Sequence, residues 1–90
     1  MPVSEITVIN KLGLHARAAA KLVRVAAAYP CQVKLGRAPD SLVDGKNIMA
    51  VMMLAAGKGT QIHLHTEGDK EEAALNAVIE LFNNRFDEGE

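Results

Sequence analysis

Alternating apolar and polar residues constrain the fold of this chain more than any other feature of its sequence. The alternation runs through residues 5–9, 31–35 and 60–66. Successive side chains of a strand point to opposite faces, so each segment predicts a strand with one apolar face and one wet face. A short further strand is predicted over 41–43, after a turn over 36–40 that contains glycine and proline. Strands of this kind favour an antiparallel sheet that is covered on one side only.

Helical segments lie between these strands. Residues 16–28 are rich in alanine, and Tyr29-Pro30 ends this helix because the residue before a proline avoids helical angles. Residues 47–55 predict a short second helix, and a third follows Asp69, which is predicted as its N-cap. The order βαββαβα predicts an α+β fold, a two-layer open-faced β-sandwich in which three helices cover one face of a four-stranded antiparallel sheet. The apolar stripe of the third helix is predicted to comprise Leu75, Val78, Phe82 and Phe86.

Length and composition restrict the class of protein. Ninety residues indicate one domain, spanning 1–90, whose acidic end at 87–90 is expected to fray. A net charge of −1 and 3% aromatic residues argue against nucleic-acid binding, because little would attract phosphates or stack on bases. Cys31 has no cysteine partner, and its place in the alternation predicts a core position. Without a signal peptide or an apolar run of about 18 residues, we expect a cytoplasmic protein without membrane insertion.

The segment Gly13-Leu14-His15-Ala16-Arg17 lies where the first strand gives way to the first helix, and it is the strongest candidate for chemistry. The first amides of a helix lack internal partners and carry partial positive charge, so the N–H groups of Ala16, Arg17 and Ala18 form a natural phosphate seat. The same positive end disfavours an imidazolium, which leaves the His15 ring a nucleophilic nitrogen. The Arg17 guanidinium can neutralise phosphate oxygens. A lone His-X-Arg sequence, however, is more often an exposed loop histidine beside a surface charge.

A second motif supports the functional interpretation. Together with Gly13–Arg17, the segment Gly45-Lys46-Asn47-Ile48-Met49-Ala50-Val51-Met52 resembles the HPr family over nearly the whole chain. These proteins are the histidine-containing phosphocarriers of the phosphoenolpyruvate-dependent phosphotransferase system. The resemblance implies a βαββαβα fold, phosphorylation of His15 on Nδ1 by enzyme I, and transfer to an enzyme IIA protein or domain with help from Arg17. It implies a monomeric transfer intermediate without a cofactor or metal, rather than a free-standing enzyme.

The sequence departs from the family pattern at three places. Ala18 stands where many members have proline, and the segment 36–40 is slightly longer than usual. Asn47 occupies the position at which many relatives carry a regulatory serine. Because asparagine has no hydroxyl, we expect no phosphorylation there, although Asn47 can still cap the second helix. Whether the chain serves sugar uptake or the nitrogen-related regulatory branch is left open by the sequence.

A partner surface is predicted on the first two helices. The second helix is apolar all round, so one side of it should stay exposed, and methionine suits a surface that fits several partners. A basic stripe on the first helix suits acidic partners, although such stripes are more often only solvated faces and such methionines often fill core gaps. The predicted contact residues are Arg17, Ala20, Lys21, Arg24, Asn47, Ile48, Met49 and Met52.

Other candidates are weaker. His63 and His65 project from the same face of a strand, but two histidines without a third ligand are better explained as outward polar positions. Gly57-Lys58-Gly59-Thr60 lacks the spacing of a phosphate loop and leads into a strand instead of a helix. A pure interaction module that regulates its partners by docking alone is the main alternative function, and the presence of both His15 and Arg17 argues against it.

Overall fold

Regular elements follow one another in the predicted order within residues 3–87, the part of the chain that the computed structural model describes. A turn of 3-10 helix, here called the C-terminal turn, follows the last helix at Arg85–Asp87. The strands and helices are β1 (Val3–Thr7), α1 (Ala16–Ala27), β2 (Gln32–Ala38), β3 (Ser41–Asp44), α2 (Ile48–Met52), β4 (Gln61–Glu67) and α3 (Glu71–Asn83).

The strands form one antiparallel sheet in the order β1-β4-β2-β3, and the helices cover one of its faces. Ile6 is paired with Ile62, and Leu35 is paired with Leu64. All four side chains are buried, as the alternation predicted. The expected α+β open-faced sandwich is therefore confirmed.

Small side chains make up most of the buried side of α1, which packs against α2 and α3. Ala18, Ala19, Leu22 and Ala26 are buried along one side of the helix, while Val23 is half-buried against the core. The fully buried aromatic side chains of the core come from α3 and the turn after it. The rings of Phe82 and Phe86 meet edge to face with their centroids 4.9 Å apart.

The turn predicted over 36–40 is shorter than expected, because its first half belongs to β2. Gly36 to Ala38 continue the strand through an irregular register, and only Pro39 and Asp40 turn the chain. A Cβ atom at Gly36 would lie 2.1 Å from the carbonyl oxygen of Ser41. Glycine here thus allows β3 to approach β2 closely, instead of marking a turn.

The second helix is also shorter than predicted. Asn47 is its N-cap, since Oδ1 accepts the Ala50 N–H at 3.1 Å, but regular helix ends at Met52. The prediction of a helix through Ala55, ending near Gly57, is wrong. Ala55 adopts a left-handed conformation (φ 51°), and the chain then lies against the loop before α1.

The third helix begins without the predicted Asp69 cap. Lys70 is the N-cap residue in a left-handed conformation, and its side chain makes no cap hydrogen bond. The Glu71 carboxylate instead accepts the Gly68 N–H at 2.9 Å. At the other end, Phe86 belongs to the C-terminal turn and not to the helix, although it is buried as the predicted apolar stripe requires.

The remaining element boundaries agree with the predicted ones to within three residues, since strand and helix ends are the least regular parts of an element. Cys31 is buried and unpaired, which confirms its predicted core position. The acidic end predicted to fray lies outside the described residues except for Asp87. No helix within residues 3–87 is both long enough and apolar enough to cross a bilayer.

Candidate functional site

His15 is the N-cap of α1, and its ring turns back towards the first amides of that helix. Its backbone is extended (φ −73°, ψ 178°), and Nδ1 accepts the Arg17 N–H at 3.2 Å. An accepting Nδ1 carries a lone pair, so the ring proton of the neutral imidazole belongs on Nε2. The side chain is half-buried. The more nucleophilic ring nitrogen of this geometry therefore faces the positive end of the helix.

The loop before α1 is held in place by backbone contacts. Gly13 has a positive φ of 66°, and its carbonyl accepts the Asn10 side-chain N–H at 2.8 Å. Leu14 is buried, and its N–H donates to the Ala56 carbonyl at 2.8 Å. These bonds fix the residues directly before His15, so the position of the ring depends on the segment that follows α2.

A shallow cavity of about 770 Å³, open to solvent, lies in front of the ring. Its charged side chains are mostly cationic, and one carboxylate faces them. The Lys21 side chain is held by a hydrogen bond, since Nζ donates to the Phe86 carbonyl at 2.6 Å and so joins α1 to the C-terminal turn. Such a cavity suits an anionic group, because the cations and the helix amides all favour negative charge. The lining residues are Lys11, Leu12, His15, Ala16, Arg17, Lys21 and Asp87.

The predicted phosphate seat is uneven in exposure. Ala16 and Arg17 are exposed, whereas Ala18 is completely buried. Ala16 and Arg17 thus form the exposed part of the seat, in which the Arg17 N–H donates to His15 Nδ1. The Ala18 side chain packs into the core beneath them, which explains why a small residue fits at this position.

The predicted partner residues occupy two adjacent helices, since α1 contacts α2. Ala20 and Lys21 are half-buried, and the rest of the predicted set is exposed. The exposed members are Arg17, Arg24, Asn47, Ile48, Met49 and Met52. The expected outward position of Met49 and Met52 is confirmed, since both are exposed in the folded chain.

Four residues near the site were missed in the sequence. Met53 and Leu12 are exposed large apolar side chains next to the predicted surface. The apolar run that includes Met53 indicates an exposed side, but the sequence does not determine which of its residues lie on that side. Lys11 and Asp87 line the cavity in front of His15, and Asp87 reaches it from the far end of the chain. No local pattern marks such a residue.

The weaker candidates do not line the cavity in front of His15. His63 and His65 lie half-buried on the uncovered face of the sheet, and His63 Nδ1 is 3.9 Å from a Glu5 carboxylate oxygen. Across residues 3–87, no group of three or more histidine, cysteine, aspartate or glutamate side chains could hold a metal ion. The segment Gly57–Thr60 leads into β4, as expected, and does not begin a helix.

Comparison with known proteins places the chain in a family. The sequence model of one family, described as the PTS HPr component phosphorylation site, matches residues 3–84. The chain is 76% identical to the phosphocarrier protein HPr of Pseudomonas aeruginosa and 72% identical to that of Pseudomonas putida, in each case over the full length of both proteins.

Solved structures agree with this assignment. The crystal structure of HPr-C-His from Thermoanaerobacter tengcongensis superposes with a TM-score of 0.91 at 36% identity, over 98% of each chain. HPr from Bacillus anthracis superposes with a TM-score of 0.81 at 34% identity, over 88% of this chain and 93% of that one. The chain therefore belongs to the HPr family, the phosphocarrier proteins of the phosphotransferase system.

Proposed function

We propose that this protein accepts a phosphoryl group on His15 Nδ1 from phosphorylated enzyme I and passes it to an enzyme IIA protein or domain. The observation that carries the proposal is the Nδ1 atom, which accepts the N–H of Arg17 at the first turn of α1. Either the sugar-uptake or the nitrogen-related branch of the system could use this step. In both, the chain is a transfer intermediate rather than a free-standing enzyme.

The geometry suits both uptake and release of the group. The Nδ1 lone pair gives up its hydrogen bond from the Arg17 N–H and forms the new bond to phosphorus while the bond to the donor breaks, and the departing donor atom keeps that electron pair. The transferred oxygens then lie near the Ala16 and Arg17 amides and the Arg17 guanidinium, which stabilise their charge. Because the cavity is open to solvent, a second protein can reach the phosphoryl group without any rearrangement of the core.

The surface around the cavity provides the proposed docking site for enzyme I and enzyme IIA. Arg17, Lys21 and Arg24 recur along one side of α1, and the exposed apolar residues of α2 lie beside them. Basic side chains at the rim favour acidic partners and speed their encounter, while the apolar centre excludes water. We expect association with either partner to weaken as the salt concentration rises.

The proposal is tested by incubating the protein with enzyme I, magnesium and phosphoenolpyruvate. A phosphohistidine is expected, which means a label that is lost in acid and stable in alkali. Nitrogen-15 NMR of labelled histidine then assigns the phosphorylated atom, and Nδ1 of His15 is the expected one. A label that survives acid, or one on another histidine, would contradict the proposal.

Arg17→Ala is expected to slow phosphoryl transfer about tenfold. The variant loses one of the groups that stabilise the charge of the phosphoryl oxygens, a guanidinium partly screened by solvent. The fold should be unaffected because this side chain is exposed. Rapid-quench measurement of transfer from phosphorylated enzyme I gives the rate, and circular dichroism confirms folding. Arg17→Lys is the matched control. Lysine keeps the positive charge but lacks the forked guanidinium, so the transfer rate of this variant should lie between those of the wild type and Arg17→Ala. A wild-type rate for Arg17→Ala would remove Arg17 from the mechanism.

Asn47→Ser is expected to create a substrate for the serine kinase that modifies other members of the family, whereas the wild-type protein takes no label from ATP. Serine keeps an oxygen that can cap α2 in place of the Asn47 Oδ1 bond to Ala50 N–H, and it adds the hydroxyl that asparagine lacks. Phosphoserine detection after incubation with kinase and ATP compares the two proteins. Label on the wild-type protein, for example at Ser41, would show that Asn47 does not exclude this control.

A further inference from the structure

Within residues 3–87, the accessible sulfur is concentrated in one place. Apart from Met1, the methionines are Met49, Met52 and Met53, here called the methionine cluster. Their exposed fractions are 63%, 37% and 79%. The remaining sulfur atom belongs to Cys31, which is buried with 3% exposure. An oxidant in solution therefore meets thioethers of this cluster well before it meets the thiol.

The cluster lies on one surface and next to the site. The Met53 N–H donates to the Met49 carbonyl at 3.0 Å, so these two residues are one helical turn apart on the same side. Three residues after Met53, the Ala56 carbonyl accepts the Leu14 N–H directly before His15. The cluster thus belongs to the apolar part of the proposed docking site.

We propose that the methionine cluster is a peroxide-sensitive modification site whose oxidation reversibly weakens partner docking and thereby phosphoryl transfer. This inference rests on the proposed function. A sulfur lone pair attacks one oxygen of hydrogen peroxide, the O–O bond breaks, and the sulfur keeps that oxygen as a sulfoxide. The other oxygen leaves with its own hydrogen and takes up the proton that the sulfur-bound oxygen releases, which gives water. Sulfur is oxidised by two electrons and the peroxide is reduced by the same two.

The physical consequence follows from the polarity of the product. A sulfoxide oxygen is a strong hydrogen-bond acceptor, and it must lose its water when an apolar partner surface covers it. In the free protein the same oxygen stays hydrated, because Met49 and Met53 are more than half exposed. Oxidation therefore penalises the complex and leaves the fold nearly unchanged. Methionine sulfoxide reductase can restore the thioether, which makes the modification reversible.

The experiment treats the full chain with hydrogen peroxide, removes the peroxide with catalase, and locates sulfoxides by peptide mass spectrometry. Sulfoxide at the methionine cluster is expected while Cys31 stays reduced. The rate of transfer from untreated phosphorylated enzyme I, measured at limiting concentration, should fall about tenfold. The far-ultraviolet circular dichroism spectrum should not change. Methionine sulfoxide reductase should restore the rate.

The matched control replaces Met49, Met52 and Met53 by leucine, which keeps the apolar surface and removes the sulfur. The rate of this variant before treatment is its own baseline, and peroxide should not change that rate. Met53→Leu alone serves if the triple variant does not fold, and it should lose less activity on oxidation than the wild type. A control as peroxide-sensitive as the wild type, or an oxidised wild type that transfers normally, would overturn the inference. Failure of the untreated wild type to accept a phosphoryl group would instead refute the proposed function.

Discussion

Replacing His15 by asparagine is expected to give a folded protein that accepts no phosphoryl group. Asparagine is a preferred N-cap residue, so its side-chain oxygen can take over the bond from the Arg17 N–H that Nδ1 accepts in the wild type. It has no nucleophilic ring nitrogen. Label from phosphoenolpyruvate and enzyme I should therefore fall to background, while the free energy of unfolding from urea titration should stay within about 1 kcal/mol of the wild-type value.

His15→Ala is the companion variant, because it removes the nucleophile and the cap together. It should be equally unlabelled and, in addition, less stable by about 1 kcal/mol. Comparison of the two variants separates the chemical role of the ring from its structural role. Acid-labile label on His15→Asn would show that another histidine is phosphorylated. His63 and His65 on the uncovered sheet face would then be the candidates.

The sequence predicted those parts of the fold that depend on local pattern. Period-two alternation around Ile6 and Ile62 identified strands and their buried faces, because burial of one face imposes that period. Local pattern did not predict the backbone conformation where contacts with a distant segment determine it. Gly36 looked like a turn residue, but it is a strand residue that the carbonyl of Ser41 approaches closely. After α2 the chain likewise passes through a left-handed Ala55, and the Ala56 carbonyl accepts a hydrogen bond from the distant Leu14 N–H.

The candidate site follows the same division. His15 could be placed at a helix start from its neighbours alone, and the structure makes it the N-cap. The rest of the cavity could not be found in this way. Lys21 donates a hydrogen bond to the carbonyl of Phe86, 65 positions away. The next residue, Asp87, lines the cavity. Pairings at such separations leave no periodic trace in a single sequence.

The largest loss of stability is expected from Gly13→Ala. A Cβ atom at this position would lie 2.4 Å from the Ala56 carbonyl oxygen and 2.8 Å from the Gly57 Cα, and neither backbone atom can move without breaking the Leu14–Ala56 hydrogen bond. The positive φ of 66° adds a steric penalty for any side chain. Together these effects should lower the free energy of unfolding by about 2 to 4 kcal/mol, a large part of the stability of a small domain. Urea titration measures the change.

Gly57→Ala is the matched control, because it makes the same substitution on the other side of the same contact. Its Cβ would have nothing within 4 Å, and its φ is not positive, so the free energy of unfolding should change by less than about 0.5 kcal/mol. Since Gly13 also fixes the backbone before His15, Gly13→Ala should accept phosphoryl more slowly even in conditions where it is folded, whereas Gly57→Ala should not. Equal stability of the two variants would mean that the loop before α1 moves freely, and the first helix would then not hold the His15 ring in the way its function requires.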